Sequence, residues 1–208
     1  MKDFKRYTII LLFFSLACSK SEVSLQDYYE WQEDESNGVH KTKTVGEIAF
    51  DMKLLSPDYL TYLELKGEKA TVTPQLKDSI MKFYENNLTF VLTIGPAEES
   101  HFDITSVGIK NYEEYAERMK QLNFGLTELL ELRAGGKKWK PVIVEMENIY
   151  GLEFHRKFNI VFSPEEKADE LVKLDKFTVM FDDEIFGTGT SSFGFLKSSL
   201  DKTPAIKF

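Results

Sequence analysis

The sequence predicts an α+β fold, a mainly antiparallel sheet carrying two amphipathic helices. Three observations predict it. Apolar residues alternate with polar ones through much of the second half, two segments repeat apolar residues at helical spacing behind N-cap signals, and glycine pairs fall where hairpins would turn.

Taken in order, Tyr28, Tyr29 and Trp31, the Asn37-Gly38 pair and the run Val45 to Met52 predict an opening hairpin with a tight turn. Segment Ser56 to Lys66 is ambiguous: Ser56-Pro57 suits a helix start, whereas Tyr62 and Leu65 fit a strand equally well. Thr73-Pro74 supplies an N-cap with proline at the first helical position, and Leu76, Ile80, Phe83 and Tyr84 recur at helical spacing. Leu88 to Ile94 is continuously apolar and partly β-branched, and closes at Gly95-Pro96, so it reads as a buried strand. Asn111 and Glu114 form a capping pattern ahead of a second helix whose apolar face is Tyr112, Tyr115, Met119 and Leu122.

Strands fill the remainder. Leu130 and Leu132, a Gly135-Gly136 turn and the alternation Val142, Val144, Met146 predict a hairpin. Phe158, Ile160 and Phe162 follow, then Phe177, Val179 and Phe181, then Phe193 and Phe195, and Ala205 to Phe208 reads as a closing strand. Successive hairpins imply antiparallel order, and both helices are expected to pack across the sheet.

The amino terminus carries a different signal. Lys2, Lys5 and Arg6 lead into an apolar run from Tyr7 to Ala17, shorter than the roughly 18 apolar residues of a spanning helix, which is the pattern of a cleaved secretory signal. The run stops at Cys18, the single cysteine, so no internal disulfide is available. Ser15-Leu16-Ala17-Cys18 resembles the lipobox of bacterial lipoproteins, with Ser15 in place of the usual aliphatic residue. The resemblance implies a signal peptide over 1–17, acylation of Cys18, a polar tether over 18–26 and one globular domain over 27–208. Ser19 after the cysteine favours the outer membrane, with the domain facing the periplasm or the exterior. The ending from Phe177 to Phe181, with Asp182, Asp183 and Ile185-Phe186-Gly187-Thr188-Gly189, is similar to an uncharacterised group of small Bacteroidota lipoproteins, which implies envelope location and no activity. Asp78-Ser79-Ile80 resembles the O-glycosylation triplet of those bacteria, making Ser79 a candidate modification site.

Charge narrows the partners. The chain holds 26 Lys+Arg and 34 Asp+Glu, and loss of residues 1–17 leaves 23 and 33, a net charge near −10. Such a chain repels phosphate backbones, which argues against nucleic acid, and its attachment to a membrane would come from acyl chains rather than charge.

Catalytic motifs are missing from the sequence. It has no Gly-x-Ser-x-Gly elbow, no His-Glu-x-x-His and no Walker loop, and Gly187-Thr188-Gly189 lacks a third glycine at Ser192. His40, His101 and His155 are scattered without ligand spacing, so no metal cofactor is implied by them, and His155 beside Glu153 reads as an exposed pair. Asp182, Asp183 and Glu184, next to a glycine turn, are weak calcium candidates, and Glu33, Asp34 and Glu35 weaker ones. Trp31, Trp139 and the tyrosines would offer sugars a stacking platform only if exposed together. The expected function is a non-catalytic interaction or accessory module with an envelope protein partner; the alternative is a domain that binds or hydrolyses glycan or peptidoglycan.

Overall fold

The structure, a computed structural model, describes residues 21–66, 72–98, 100–148, 153–164, 171 and 173–207. The signal segment 1–17, Cys18 and Phe208 lie outside the described residues.

A short strand, β1 (Glu22–Val23), precedes α1 (Leu25–Glu33), which Ser24 caps through a full capping box with Asp27. A 3-10 turn over Glu35–Asn37 leads to β2 (His40–Val45) and β3 (Ile48–Leu55), then to α2 (Pro57–Lys66) and α3 (Pro74–Glu85). β4 (Leu88–Pro96) follows, then a 3-10 turn over Ile104–Ser106 and α4 (Tyr112–Lys120), which widens into a π-helical turn over Gln121–Gly125 and ends in α5 (Leu126–Leu129). The rest is β5 (Leu130–Ala134), β6 (Lys137–Trp139), β7 (Ile143–Met146), β8 (Arg156–Phe162), β9 (Lys176–Asp183), β10 (Gly189–Leu196), α6 (Lys197–Asp201) and β11 (Ala205–Ile206).

The α+β class and the antiparallel order hold, but the strands make two large sheets rather than one. Five strands run in the order β2-β3-β4-β8-β7 and four in the order β10-β9-β5-β6, every pairing antiparallel, while β1 and β11 pair in parallel. The inner faces of the two sheets meet through phenylalanines: Phe50 of β3 lies 5.6 Å from Phe181 of β9, and Phe90 of β4 lies 6.2 Å from Phe177 and 5.3 Å from Phe195. Burying each such ring contributes about 1.5–3 kcal/mol, and edge-on or tilted ring pairs add about 0.5–1.5 kcal/mol more. Period-2 alternation marks which residues face a core, and it is silent on which sheet a strand joins.

Local chemistry explains the other departures. Tyr28, Tyr29 and Trp31 belong to α1, not to a strand, because Ser24 and Asp27 start a helix ahead of them and put Tyr28 and Gln32 on one buried face. The opening hairpin exists, yet it turns at Gly46-Glu47, where Gly46 takes φ 60°. Gly38, at φ 79°, instead ends the 3-10 turn. Within the span 18–26 expected as a polar tether, residues 22–26 hold β1 and the start of α1. Ser56 to Lys66 resolves as the helix, with Ser56 Oγ accepting the Tyr59 N–H at 3.2 Å. The Gly135-Gly136 turn joins β5 to β6, but Val144 and Met146 leave for the other sheet and pair with β8. Pro141 lacks an N–H and cannot extend the first ladder into the second.

Both sequence-marked helices form with the expected caps, Thr73 for α3 and Asn111 for α4. They bury less than their periodicity promised. α3 packs on α2 and touches β4, and no residue of α3 or α4 is fully buried. The stretch after α4 reaches the core instead, through Leu122 and Leu126.

Candidate functional site

The five-stranded sheet turns its second face away from the core, and that face carries Asp51 and Lys53 of β3 and His40 of β2, cross-strand partner of Lys53. The carboxyl end of α1 adds Glu33. His40 is 6% exposed and spans two acceptors: Nε2 lies 2.8 Å from Asp51 Oδ2 and Nδ1 lies 2.9 Å from the Glu33 carbonyl. A carboxylate and a carbonyl only accept, so both ring nitrogens must donate, which the imidazolium alone can do. Burial opposes that charge, but the hydrogen bonds to Asp51 and the Glu33 carbonyl and the charge of Asp51 outweigh it, and the His40 pKa is raised.

Lys53 completes the group, with Nζ 2.6 Å from Glu33 Oε1 and 3.8 Å from Asp51 Oδ2. Glu33, His40 and Asp51 bring three ligand-type atoms within 4.8 Å of one another, yet they suit a metal poorly. The two carboxylates already bond His40 and Lys53, and the ammonium of Lys53 bridges the carboxylates where a divalent ion would have to sit. Asp51 and Glu33 also approach opposite nitrogens of the one ring, whereas a metal would use a single nitrogen. The cluster ties α1 to the sheet edge as an ionic clamp.

Beside the clamp, an open groove of about 450 Å³ is lined by Asp51, Thr93, Gly95, Glu153, Phe154 and His155, among others. Asp51 Oδ1 is buried with no hydrogen-bond partner among the described residues. Gly95 is required here by close approach, because a Cβ on it would stand 2.8 Å from His155 Cβ. His155 and Glu153 pair as expected, 3.0 Å apart, with Glu153 exposed and His155 half-buried. Arg156 binds Asp103 at 3.0 Å; burial would raise the Asp103 pKa, but its bonds to Thr105 and the Arg156 charge lower it.

The calcium candidates do not assemble. Asp183 is 2% exposed, and its own loop fills its oxygens: Oδ1 accepts the N–H groups of Ile185 and Phe186, each at 3.0 Å, and Oδ2 accepts the Thr188 N–H at 3.1 Å and hydroxyl at 2.5 Å. Asp182 points to the opposite face, where its Oδ1 accepts from Thr190 Oγ1 at 2.8 Å, and Glu184 is exposed. Asp183 thus organises the turn that Gly187 and Gly189 make possible at φ 73°. Glu35 accepts from Thr42 Oγ1 and Asp34 caps the 3-10 turn, so Glu33 alone of that acidic run enters the clamp.

Trp31 and Trp139 are half-buried against the core and present no shared platform. Ser79 is exposed on α3, beside a shallow groove lined by Glu64, Ile80 and Phe83. Sequence reading missed the Glu33–His40–Asp51–Lys53 group. Its one available signal was the β2–β3 hairpin register, which sets His40 opposite Lys53 and diagonal to Asp51 once the turn is placed at Gly46-Glu47.

No family model matches the chain, and no curated protein matches it. Among solved structures, it is similar to a protein of unknown function from Burkholderia pseudomallei, at 10% identity and a TM-score of 0.35, over 88% of this chain and 94% of that one. It is also similar to a DUF4426 family protein from Pseudomonas aeruginosa, at 9% identity and a TM-score of 0.30, over 76% of this chain and 91% of that one.

Proposed function

We propose that the protein is a lipid-anchored module of the bacterial cell envelope that acts by interaction rather than catalysis, held to the outer membrane by acyl chains on Cys18. The observation that carries this reading is the placing of the lipobox-like Ser15-Leu16-Ala17-Cys18 directly before the fold, since β1 starts at Glu22. Two acyl signals or more give stable attachment, which an acylated cysteine supplies. An acidic domain whose clamp charges already face one another fits a partner-binding role with an envelope protein whose contact surface is basic.

The test is metabolic labelling with an alkyne palmitate analogue. Wild type is expected to be labelled and to sediment with membranes, and Cys18→Ala to lose both properties. Labelling that persists in Cys18→Ala would overturn the anchor.

A second reading rests on the groove lined by Asp51, Thr93 and Phe154, where the exposed Phe154 ring would stack on a sugar. Titration with soluble peptidoglycan fragments, followed by the amide shifts of Asp51 and Thr93, separates the two: saturable shifts favour glycan binding, and unmoved signals favour the interaction module.

A further inference from the structure

The helical hairpin of α2 and α3 leaves an apolar stripe facing solvent. Leu76, Ile80 and Phe83 stand at i, i+4 and i+7 on α3, with Ile80 half-buried and Phe83 65% exposed, and Leu63 on α2 and Val72 ahead of α3 are exposed as well. The stripe is not a failed core face. α2 and α3 are already clamped to each other by Thr61 against Met81 Sδ at 3.7 Å and by Tyr84 bonded to Glu64, and Leu65 of α2 is buried. Apolar residues remaining beyond that contact, in one row, mark a surface that meets something else.

Three features indicate what covers it. The chain outside the described residues leaves at Ser21, three positions after Cys18, a reach of about 10 Å. β1 pairs with β11, and α2 packs on β11, so the hairpin is built onto the end of the domain where the anchor leaves. Although the chain without residues 1–17 is acidic, near −10, the two helices hold three lysines against four carboxylates, a net −1, so the hairpin meets an anionic headgroup layer with far less repulsion than the domain as a whole. Lys82 flanks Phe83 and is long enough to keep its ammonium among headgroups while its stem lies on apolar surface.

We propose that the α2–α3 hairpin rests the Leu76–Ile80–Phe83 stripe of α3 on the bilayer surface, fixing the orientation of the anchored domain. The proposal rests on the acyl anchor at Cys18. It also competes with glycosylation of Ser79, which lies in the same row, between Leu76 and Phe83: a glycan there would hold the stripe off the membrane.

The test uses full-length acylated protein in vesicles of phosphatidylethanolamine and phosphatidylglycerol. With Cys18 acylated, Phe83→Cys and, as control on the outer sheet face, Thr44→Cys each offer one free thiol for an environment-sensitive fluorophore. Spin-labelled lipids are expected to quench the probe at position 83 roughly two-fold or more, the depth of an interfacial helix, and to leave the probe at position 44 unchanged. Equal, weak quenching at both positions would overturn the proposal, as would a probe at 83 that responds only to protein density or recovery of a glycan on Ser79. Flotation with the vesicles reports the anchor separately. If the protein does not float, the same quenching comparison is made with an amino-terminal histidine tag in place of residues 1–18, which removes the Cys18 thiol, on nickel-chelating lipid, and its result decides.

Discussion

His40 of β2 and Asp51 of β3 are joined across the hairpin at 2.8 Å, and the same imidazole reaches the last turn of α1 through the Glu33 carbonyl. One nearly buried ring therefore fastens the first helix to the sheet, and the fold favours its protonated form. A group whose pKa is raised by folding stabilises the fold fully below its unfolded value, about 6.5, and the contribution disappears as pH rises through the folded value. His40→Ala should cost about 1–3 kcal/mol in mildly acidic buffer, and the difference from wild type should shrink as pH is raised. Urea unfolding of both proteins across that range measures it. A difference that grows with pH would mean that His40 is buried neutral.

Asp183 should behave as a turn organiser. Removing its acceptors strands buried N–H groups of Ile185 and Phe186, so Asp183→Ala should destabilise by about 2–4 kcal/mol. Millimolar calcium should leave the melting temperature of wild type unchanged. A calcium-dependent rise lost in Asp183→Ala would instead restore the ion-binding reading.

Gly95→Ala tests the close approach of β4 to His155. The added methyl meets His155 Cβ, part of the side chain's fixed root, so neither residue escapes by changing rotamer. We expect a loss of about 1–3 kcal/mol and shifted resonances of His155 and Glu153, with the rest of the spectrum retained. Wild-type stability would show that the strand end gives way freely.

Phe90 joins the two sheets, packing against Phe162 of its own sheet and Phe177 and Phe195 of the other. Phe90→Ala should cost about 3–5 kcal/mol and unfold both sheets together in one transition. Two separable transitions would mean that the sheets do not share a core.

Much of the strand content was legible because the signal is local: Phe158, Ile160 and Phe162 alternate in sequence and alternate in burial. Helix caps were legible for the same reason, as Thr73 and Asn111 bond within three residues. Sheet membership was not, because β5 and β7 have similar alternation and only Pro141 and long-range pairing divide them between sheets. The clamp was hidden more deeply. Glu33, His40, Asp51 and Lys53 come from three elements, and their meeting depends on a turn at Gly46 whose competitor at Asn37-Gly38 had the stronger hairpin signature. Periodicity in α3 was real but misleading, since an apolar stripe reports a face to be covered and not what covers it.

The most direct test of envelope anchoring is intact-mass and amino-terminal peptide mass spectrometry of the protein purified from its own membranes. A mature chain that begins at Cys18, with acyl groups on that residue, is the predicted result. A chain that retains residues 1–17, or one cut elsewhere with Cys18 unmodified, would contradict it.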